Sequence, residues 1–374
     1  MPSYPKNYPF YSWMPKPLGI LILLFFFLPI LTVGGVYSVN STEMMSGLGI
    51  ISEHIQFANF VTSIGMAAFA PFLYQLVCVR REKMMCIVGF AFMYIFSYIC
   101  AKTDSVFLLA LCSLLTGFLR MVLMMVNLFT LIWYAGGMEA TRNITPGLEP
   151  KDASGWNKLD IDRCVSQPAV YLFFMILGQS GTALTAWLSF EYEWKYVYYF
   201  MMGILLVSIL LLFITMPNYK FPGRFPINFR KFGNVTAFCV SLTCLTYVLV
   251  YGKVLDWYDD ESIRWATAVS ILFAGIFLYM DARRRSPYVL DAFKLRTIRM
   301  GALLYLLLMV INSSAMFVNV FAGVGMHIDN LQNAALGNWC MVGYAIGAVL
   351  AMALGSKGLH FKYLFAMGFF FLSL

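Results

Sequence analysis

Long apolar runs alternate with short polar stretches along the whole chain. Each run is about 20 residues long, the length that an α-helix needs to cross the ~30 Å hydrocarbon core of a bilayer. Because backbone polar groups in lipid must be satisfied within their own segment, the runs predict helices. The predicted spans lie near 17–37, 56–78, 84–101, 106–134, 168–188, 196–216, 234–252, 263–280, 301–324 and 335–356, and an eleventh begins at 363.

Composition agrees with this pattern. Of the 374 residues, 61% are hydrophobic and only 12% are charged, whereas soluble domains carry about 25% charged residues. The first run is too long for a cleavable signal and no small-residue cleavage site follows it. The chain therefore reads as an all-α polytopic membrane protein. Because it ends inside an apolar run at 369–372, we expect a fragment of a longer protein.

Basic residues are distributed very unevenly between the two sides of the predicted spans. Of 26 Lys and Arg residues, 21 fall on the side of the N-terminus, and Arg120 lies within a span. The other side receives only Lys102, Lys195, Lys253 and Arg264. Since Lys and Arg accumulate in cytoplasmic loops, the pattern predicts a cytoplasmic N-terminus in the inner (plasma) membrane.

Other chemistry is sparse. The net charge of +8 comes from loops that flank the membrane, so we expect no nucleic-acid partner. The eight cysteines form no C-x-x-C pair, and the only histidines are His54, His327 and His360. The sequence therefore predicts neither a metal site nor a disulfide framework, and no cofactor or catalytic residue is expected.

Two predicted cytoplasmic loops are long. Residues 135–167 are polar and interrupted by Gly147, Pro150 and Gly155, which suits a surface excursion or a short amphipathic element. The loop 281–300 carries three consecutive arginines and then an amphipathic pattern around Leu290 and Phe293. It is either an element that lies along the inner face on anionic lipid or a plain basic cluster that stops transfer.

The fifth span and its exit carry the most specific pattern. Residues 181–186 read GTALTA, residues 187–188 read WL, and residues 194–198 read WKYVY. This stretch resembles the G-P-x-x-G-G, W-L and W-R-W-x-F pattern of the major facilitator superfamily, within the 14-span drug:proton antiporters of the EmrB/QacA type. Gly181 and Thr185 keep the small residues that allow close helix approach, although Thr182 replaces the proline.

A short basic turn recurs along the chain, as expected for the related repeats of such transporters. Residues 73–83 (LYQLVCVRREK) contain Arg80, Arg81 and Lys83, and residues 355–362 (GSKGLHFK) contain Lys357 and Lys362. In the family this turn follows the second span of each half and braces the halves; plain positive-inside charge is the alternative.

The position of the second turn implies the 14-span plan. Its parts are a cytoplasmic N-terminus (1–16), a six-helix bundle (17–216), a linker with an inserted helix pair (217–300), and the start of a C-terminal bundle (301–374). We therefore expect a major facilitator fold, with ten complete transmembrane helices and part of an eleventh, continuing beyond Leu374.

The fourth span contains the one basic residue predicted to lie within the membrane. The resemblance places Gly117 at a conserved glycine of the family and Ser113 where an arginine is expected, while Arg120 lies one turn further along. Arg120, Met124 and Asn127 share one helix face. A charge within a span indicates function by default, and the alternative is that Arg120 snorkels to the inner interface.

The resemblance implies proton-coupled export of amphipathic small molecules by alternating access, and it implies no enzyme activity. Further cavity-lining candidates are Gln179 and Thr182 on the fifth span and Asn312, Met316 and Asn319 on the ninth; their alternative role is hydrogen bonding between helices. No carboxylate lies at the centre of a span, so Glu43, Glu53 and His54 near the outer mouth are the proton-coupling candidates.

The implied partners are the lipid bilayer, a small amphipathic substrate and protons. The family resemblance also implies a periplasmic adaptor and an outer-membrane channel. A membrane-embedded enzyme or sensor without transport activity is the alternative. The cluster that such an enzyme could use is the acidic outer stretch 256–261, which lacks a histidine partner.

Overall fold

A computed structural model describes the fold in residues 9–39, 44, 47, 49, 51–71, 82–103, 105–142, 158–218, 229–283, 287–288, 290–312, 326, 330–356, 363 and 368. Within these residues the regular structure is helical throughout and includes no strand. The all-α prediction is confirmed for this part of the chain.

Ten α-helices follow one another in the described residues, and each overlaps one predicted span. They are α1 Lys16–Val39, α2 Ser52–Ala68, α3 Glu82–Lys102, α4 Val106–Arg142, α5 Lys158–Glu191, α6 Lys195–Thr215, α7 Phe229–Tyr251, α8 Glu261–Ala282, α9 Arg296–Asn312 and α10 Asn330–Ser356. Two short 3-10 helices, Trp257–Asp259 and Leu290–Lys294, lie in the connections on either side of α8.

Six of these helices are long and apolar enough to cross a bilayer, counting only the described residues. The qualifying segments are Glu82–Lys102, Val106–Leu131, Leu172–Glu191, Lys195–Thr215, Lys231–Tyr251 and Glu261–Ala282. Helices α1 and α10 contain shorter apolar stretches, Lys16–Thr32 and Met341–Leu354. The chain is therefore a multi-pass membrane protein, and six of the ten expected spans have the length and hydropathy of a complete span in the described residues.

Several helices run past the apolar runs that predicted them. Helix α4 has 37 residues, about 55 Å at 1.5 Å per residue, and α5 begins ten residues before its predicted span. Both extensions enter the predicted loop 135–167, of which residues 143–157 lie outside the described part. Hydropathy marks only the part of a helix that lies in lipid, so it misses polar turns that continue beyond the membrane.

Contacts between helix ends separate into two groups, as an up-and-down arrangement requires. At one end the amide of Tyr11 donates to the Thr215 carbonyl (3.2 Å), close to the start of α3. At the other end His54 meets Tyr251. Every such contact joins segments that the basic-residue count had placed on the same side. Which end faces the cytoplasm stays a prediction.

The core lies among α1, α3, α4, α5 and α6, with the first residues of α2. Its largest fully buried side chains include Phe26, Phe90, Leu123, Met201 and Leu205. Helix α5 also packs along α10, while α7 and α8 pack on each other and reach the bundle through α2. The helix pair predicted as an insertion thus lies at the edge of the first bundle.

Among the glycines that the structure describes, those at the crossing of α2 and α4 come closest to the backbone of another helix. A Cβ placed on Gly117 would lie 2.1 Å from the Thr62 carbonyl oxygen, and one on Gly65 would lie 2.2 Å from the Leu114 carbonyl oxygen. Only a residue without a side chain fits at either position, because the obstructing atoms belong to the backbone. These glycines therefore determine how closely α2 and α4 approach.

Candidate functional site

Helix α4 carries polar groups inside the membrane. Arg120 is partly buried, and its Nε atom has no hydrogen-bond partner among the described residues. Asn127, two turns further along α4, is buried. Its Oδ1 accepts a weak hydrogen bond from Cys86 Sγ on α3 (3.6 Å). Its Nδ2 has no hydrogen-bond partner among the described residues. Met124 lies between them and packs against the core.

Arg120 lies near the middle of the apolar segment of α4. At 1.5 Å per residue it is about 21 Å from Val106 and about 17 Å from Leu131 along the helix axis, which bound that segment. A guanidinium at this depth with a buried, unpaired Nε is costly unless it serves a purpose. Arg120 therefore lies well inside the apolar segment of α4, and both its functional role and the snorkelling alternative stay predictions from the sequence.

The hydroxyl groups of the α5 candidates bond within their own helix. The Thr182 hydroxyl donates to the Gly178 carbonyl (3.0 Å) and the Thr185 hydroxyl donates to the Thr182 carbonyl (2.9 Å), so both are satisfied within their own helix. A Cβ on Gly181 would lie 3.1 Å from Thr32 Cγ2 on α1. Close approach to α1 explains the small residue at 181. Gln179 is partly buried on the same helix.

His54 and Glu53 lie in the first turn of α2, which begins four residues before the predicted span. The Nδ1 atom of His54 is 2.6 Å from the hydroxyl oxygen of Tyr251, the last residue of α7. Glu53 accepts a hydrogen bond from the Ser52 hydroxyl (3.0 Å). Burial lowers the pKa of His54, and the Glu53 charge opposes this effect. A titratable group therefore links the first bundle to the α7–α8 pair.

Aromatic rings surround this link. Phe57 on α2 lies edge-on to Tyr247 and Tyr251, with ring centroids 5.7 Å apart in both cases. The rings of Tyr247 and Tyr251 are 4.6 Å apart. Packed aromatic rings thus cover one side of the contact between His54 and Tyr251.

Lys83, a candidate of the repeated basic turn, lies at the end of α6. Its ammonium group donates to the carbonyls of Phe213 (3.4 Å) and Met216, and it lies 5.5 Å from the centre of the Phe213 ring. A cation at the C-terminus of a helix satisfies carbonyls that lack partners and interacts favourably with the helix dipole. Lys83 therefore joins the start of α3 to the end of α6.

The side chains of the remaining candidates lie outside the part of the chain that the structure describes. The side chain of Asn312 lies outside the described part of the chain, and so do the following residues: Met316, Asn319, Glu43, Arg80, Arg81, Lys357 and Lys362. The proposed stripe on the ninth span and the second basic turn stay predictions from the sequence.

Sequence reasoning missed several groups that the fold brings to interfaces. Tyr251 was an ordinary aromatic residue at the end of a span, and only the fold places it against His54. Asn234 on α7 is fully buried, and neither atom of its amide finds a partner among the described residues. A polar residue inside an apolar run is the signal that could have singled out Asn234.

No group of three or more His, Cys, Asp or Glu side chains in the described ranges is arranged to hold a metal ion. The structure therefore adds no metal site to the groups above.

A search with protein-family models finds none that matches the chain, and a search of curated proteins finds no significant match. The resemblance to the major facilitator superfamily accordingly rests on the quoted motifs alone.

Proposed function

We propose that the protein is a membrane transporter that exports amphipathic small molecules in exchange for protons by alternating access. The observation that carries this proposal is Arg120, a cation near the middle of a membrane-spanning helix with a buried Nε that has no partner among the described residues. Intramembrane charges commonly mark a substrate or ion pathway. The neighbouring Asn127 amide supplies a hydrogen-bond donor on the same face.

The packing of α5 along α10 supports the proposal. In the two-half plan α5 belongs to the first bundle and α10 to the second, so this contact joins the halves that would rock about a central cavity. Gly181 and the satisfied hydroxyls of Thr182 and Thr185 allow α5 to pack closely on α1. An amphipathic substrate would find apolar and aromatic contacts with few polar groups in such a cavity.

His54 is the proposed proton-coupling residue. Its unperturbed pKa of about 6.5 places its charge change in the physiological range, and burial lowers the pKa further. In the neutral tautomer that leaves Nδ1 without a proton, Nδ1 accepts the Tyr251 hydroxyl proton, and protonation of the ring makes Nδ1 a donor to the Tyr251 oxygen. The proton thereby alters the contact between α2 and α7, and Glu53 beside it provides a negative charge that stabilises the protonated form.

We also propose that the protein lies in the inner membrane with its N-terminus in the cytoplasm. A periplasmic adaptor and an outer-membrane channel are proposed partners on the same ground. The mapped contacts at the two ends of the helices are compatible with this topology.

The test is accumulation of a fluorescent amphipathic dye by cells that express the protein, with and without an uncoupler. We expect lower accumulation with the protein present, and the uncoupler should abolish the difference. Arg120→Ala at matched expression should reduce efflux at least about tenfold, the effect of losing ~1.4 kcal/mol of interaction. Leu111→Ala is the matched control, because this residue lies on the same helix with its side chain 41% exposed.

Two outcomes would contradict the proposal. Unchanged accumulation in the presence of the protein, or efflux that the uncoupler does not affect, excludes proton-coupled export. Recovery of the dye with an altered covalent structure indicates the membrane-embedded enzyme instead. Efflux that Arg120→Ala leaves unchanged for every dye tested removes Arg120 from the mechanism.

A further inference from the structure

The connection between α8 and α9 exposes both apolar and basic side chains. We call residues 290–299 the junction segment; it comprises the 3-10 helix Leu290–Lys294 and the first residues of α9. Phe293 is 52% exposed and Leu295 is 61% exposed. Lys294 lies between these two residues, and Arg296 and Arg299 follow them; all three basic side chains are exposed.

Tyr288 packs against the helices shortly before this segment begins. Its hydroxyl donates to the Ala68 carbonyl at the end of α2, and its ring lies 5.3 Å from that of Phe238 on α7 and 5.6 Å from that of Phe277 on α8. Two residues before the junction segment begins, the chain therefore contacts α2, α7 and α8 through Tyr288. Since α8 spans the membrane, the segment that leaves its end lies at the membrane surface.

The charge balance at this end is strongly positive. Residues 281–300 contain six basic and two acidic residues, a net charge of +4. One acid, Asp291, pairs with Lys294 at 2.6 Å on the protein surface. This pair is well exposed and weak, so it leaves the positive field of the segment largely intact. Arg296 and Arg299 add their charge within five residues of Lys294.

We propose that the junction segment is a binding site for anionic phospholipid. Phe293 and Leu295 enter the boundary between headgroups and acyl chains, while Lys294, Arg296 and Arg299 contact the lipid phosphates. An element that combines exposed apolar side chains with basic neighbours is suited to this interface, and basic residues next to spanning helices attract anionic lipid. Of the two roles that the sequence allows for loop 281–300, the exposed apolar pair favours the lipid-lying element.

The first experiment measures the melting temperature of the purified full chain in detergent while phosphatidylglycerol or phosphatidylcholine is added. We expect phosphatidylglycerol to raise the melting temperature at much lower concentration. The triple variant Lys294→Gln, Arg296→Gln, Arg299→Gln should lose roughly a hundredfold in apparent affinity, at about fivefold per basic residue. Glycerol phosphate, which lacks acyl chains, should leave the melting temperature unchanged.

The matched control removes the same charge from the opposite end of the helices. The variant Lys102→Gln, Lys253→Gln, Arg264→Gln should retain the response to phosphatidylglycerol. A second variant, Phe293→Ser with Leu295→Ser, keeps every charge and should still weaken the response. Equal responses in the triple variant and its control, or equal responses to the two lipids, would overturn the proposal. A response to glycerol phosphate would indicate a free-phosphate site instead.

A second experiment requires no variant. Backbone hydrogen exchange of the wild-type chain is compared in nanodiscs of phosphatidylcholine with and without phosphatidylglycerol. The amides of residues 290–299 should exchange more slowly when phosphatidylglycerol is present, whereas those of 252–260 at the other end should not change. The proposal fails if exchange in the junction segment is the same in both. It also fails if protection appears without anionic lipid and increases with protein concentration, because that identifies a contact between copies.

Discussion

The first bundle and the α7–α8 pair are held together by different interactions. The bundle is held together by a continuous apolar core and by backbones that touch at Gly65 and Gly117. In the pair, Ser241 Oγ donates to the Ser270 carbonyl and Ser270 Oγ donates to the Ser241 carbonyl, both at 3.0 Å. Within their apolar segments, 17% of α8 and 44% of α4 is buried inside the protein.

This difference has a physical basis. Lipid chains are as apolar as leucine, so helices in a bilayer associate through close packing and hydrogen bonds rather than through exclusion of water. The bundle uses close packing over a large area. In the pair, α8 is the least buried of the six membrane-spanning segments found in the described residues. It is joined to α7 by the reciprocal serine hydrogen bonds and by the Phe238–Phe277 ring contact at 4.7 Å. We therefore expect the bundle to be sensitive to shape and the pair to be sensitive to single polar groups.

The largest effect should follow from filling the closest backbone contact of the bundle. In Gly117→Ala the new Cβ collides with the Thr62 carbonyl oxygen, which is backbone and cannot rotate away. Overpacking of this kind costs about 1–3 kcal/mol, and we expect the upper part of that range. Thermal unfolding in detergent measures it.

The control for that substitution is Gly203→Ala on α6, where a Cβ would have no atom within 4 Å. Its melting temperature should match the wild type or exceed it, because alanine is the better helix former. If Gly117→Ala is as stable as Gly203→Ala, the backbones of α2 and α4 do not meet as described.

A smaller effect should follow from removing the reciprocal serine contact of the pair. Each interhelical hydrogen bond in a membrane contributes about 0.6 kcal/mol on average, so the double variant Ser241→Ala, Ser270→Ala should lose about 1 kcal/mol. Hydrogen exchange of α7 and α8 should report the loss locally. Ser180→Ala is a suitable control, since this exposed hydroxyl donates only to the Ile176 carbonyl of its own helix. Faster exchange in α1 or α3 as well would show that the pair is not a separate unit.

The smallest effect concerns the link between the two regions and depends on pH. Since burial lowers the pKa of His54 in the folded chain, the unfolded chain binds the proton more readily. Stability should therefore be full above the unfolded pKa of about 6.5, decrease as the pH falls through that value, and level off below the folded pKa. Unfolding between pH 5 and 8, the range in which histidine changes its charge, measures this dependence.

The variant His54→Asn can keep a hydrogen bond to Tyr251, but the asparagine does not titrate. The stability of this variant should therefore lose the part of its pH dependence that comes from protonation of His54. Tyr251→Phe removes the hydroxyl and should cost about 0.5–1 kcal/mol at pH 8, within the usual range for one hydrogen bond. An unchanged pH profile in His54→Asn would show that other groups determine the pH dependence.

The helices were predictable because their signal is local. Each apolar run had to become a helix in lipid, and all ten helices of the described part overlap a predicted span. The alternation of spans implies which helix ends lie together, and the contacts of Tyr11 with Thr215 and of His54 with Tyr251 agree with it. The assignment of one end to the cytoplasm stays a prediction. Helix ends were less predictable, because the polar turns of α4 and α5 continue beyond the apolar run.

The candidate site was predictable only in its residue types. Arg120 stood out because a charge in an apolar run is rare, and His54 stood out because the chain has only three histidines. That Arg120 Nε is buried, that His54 meets Tyr251, and that Thr182 is occupied within its own helix depend on neighbours far away in sequence.

The sequence by itself determined that this is a multi-pass helical membrane protein and where its charges gather, because length, hydropathy and charge act on each segment separately. Only the tertiary structure decided that α2 and α4 cross at paired glycines, that α5 packs on α10, and that the Tyr288 hydroxyl reaches the Ala68 carbonyl at the end of α2. These contacts depend on shape complementarity between segments distant in the chain, and hydropathy carries no information about shape.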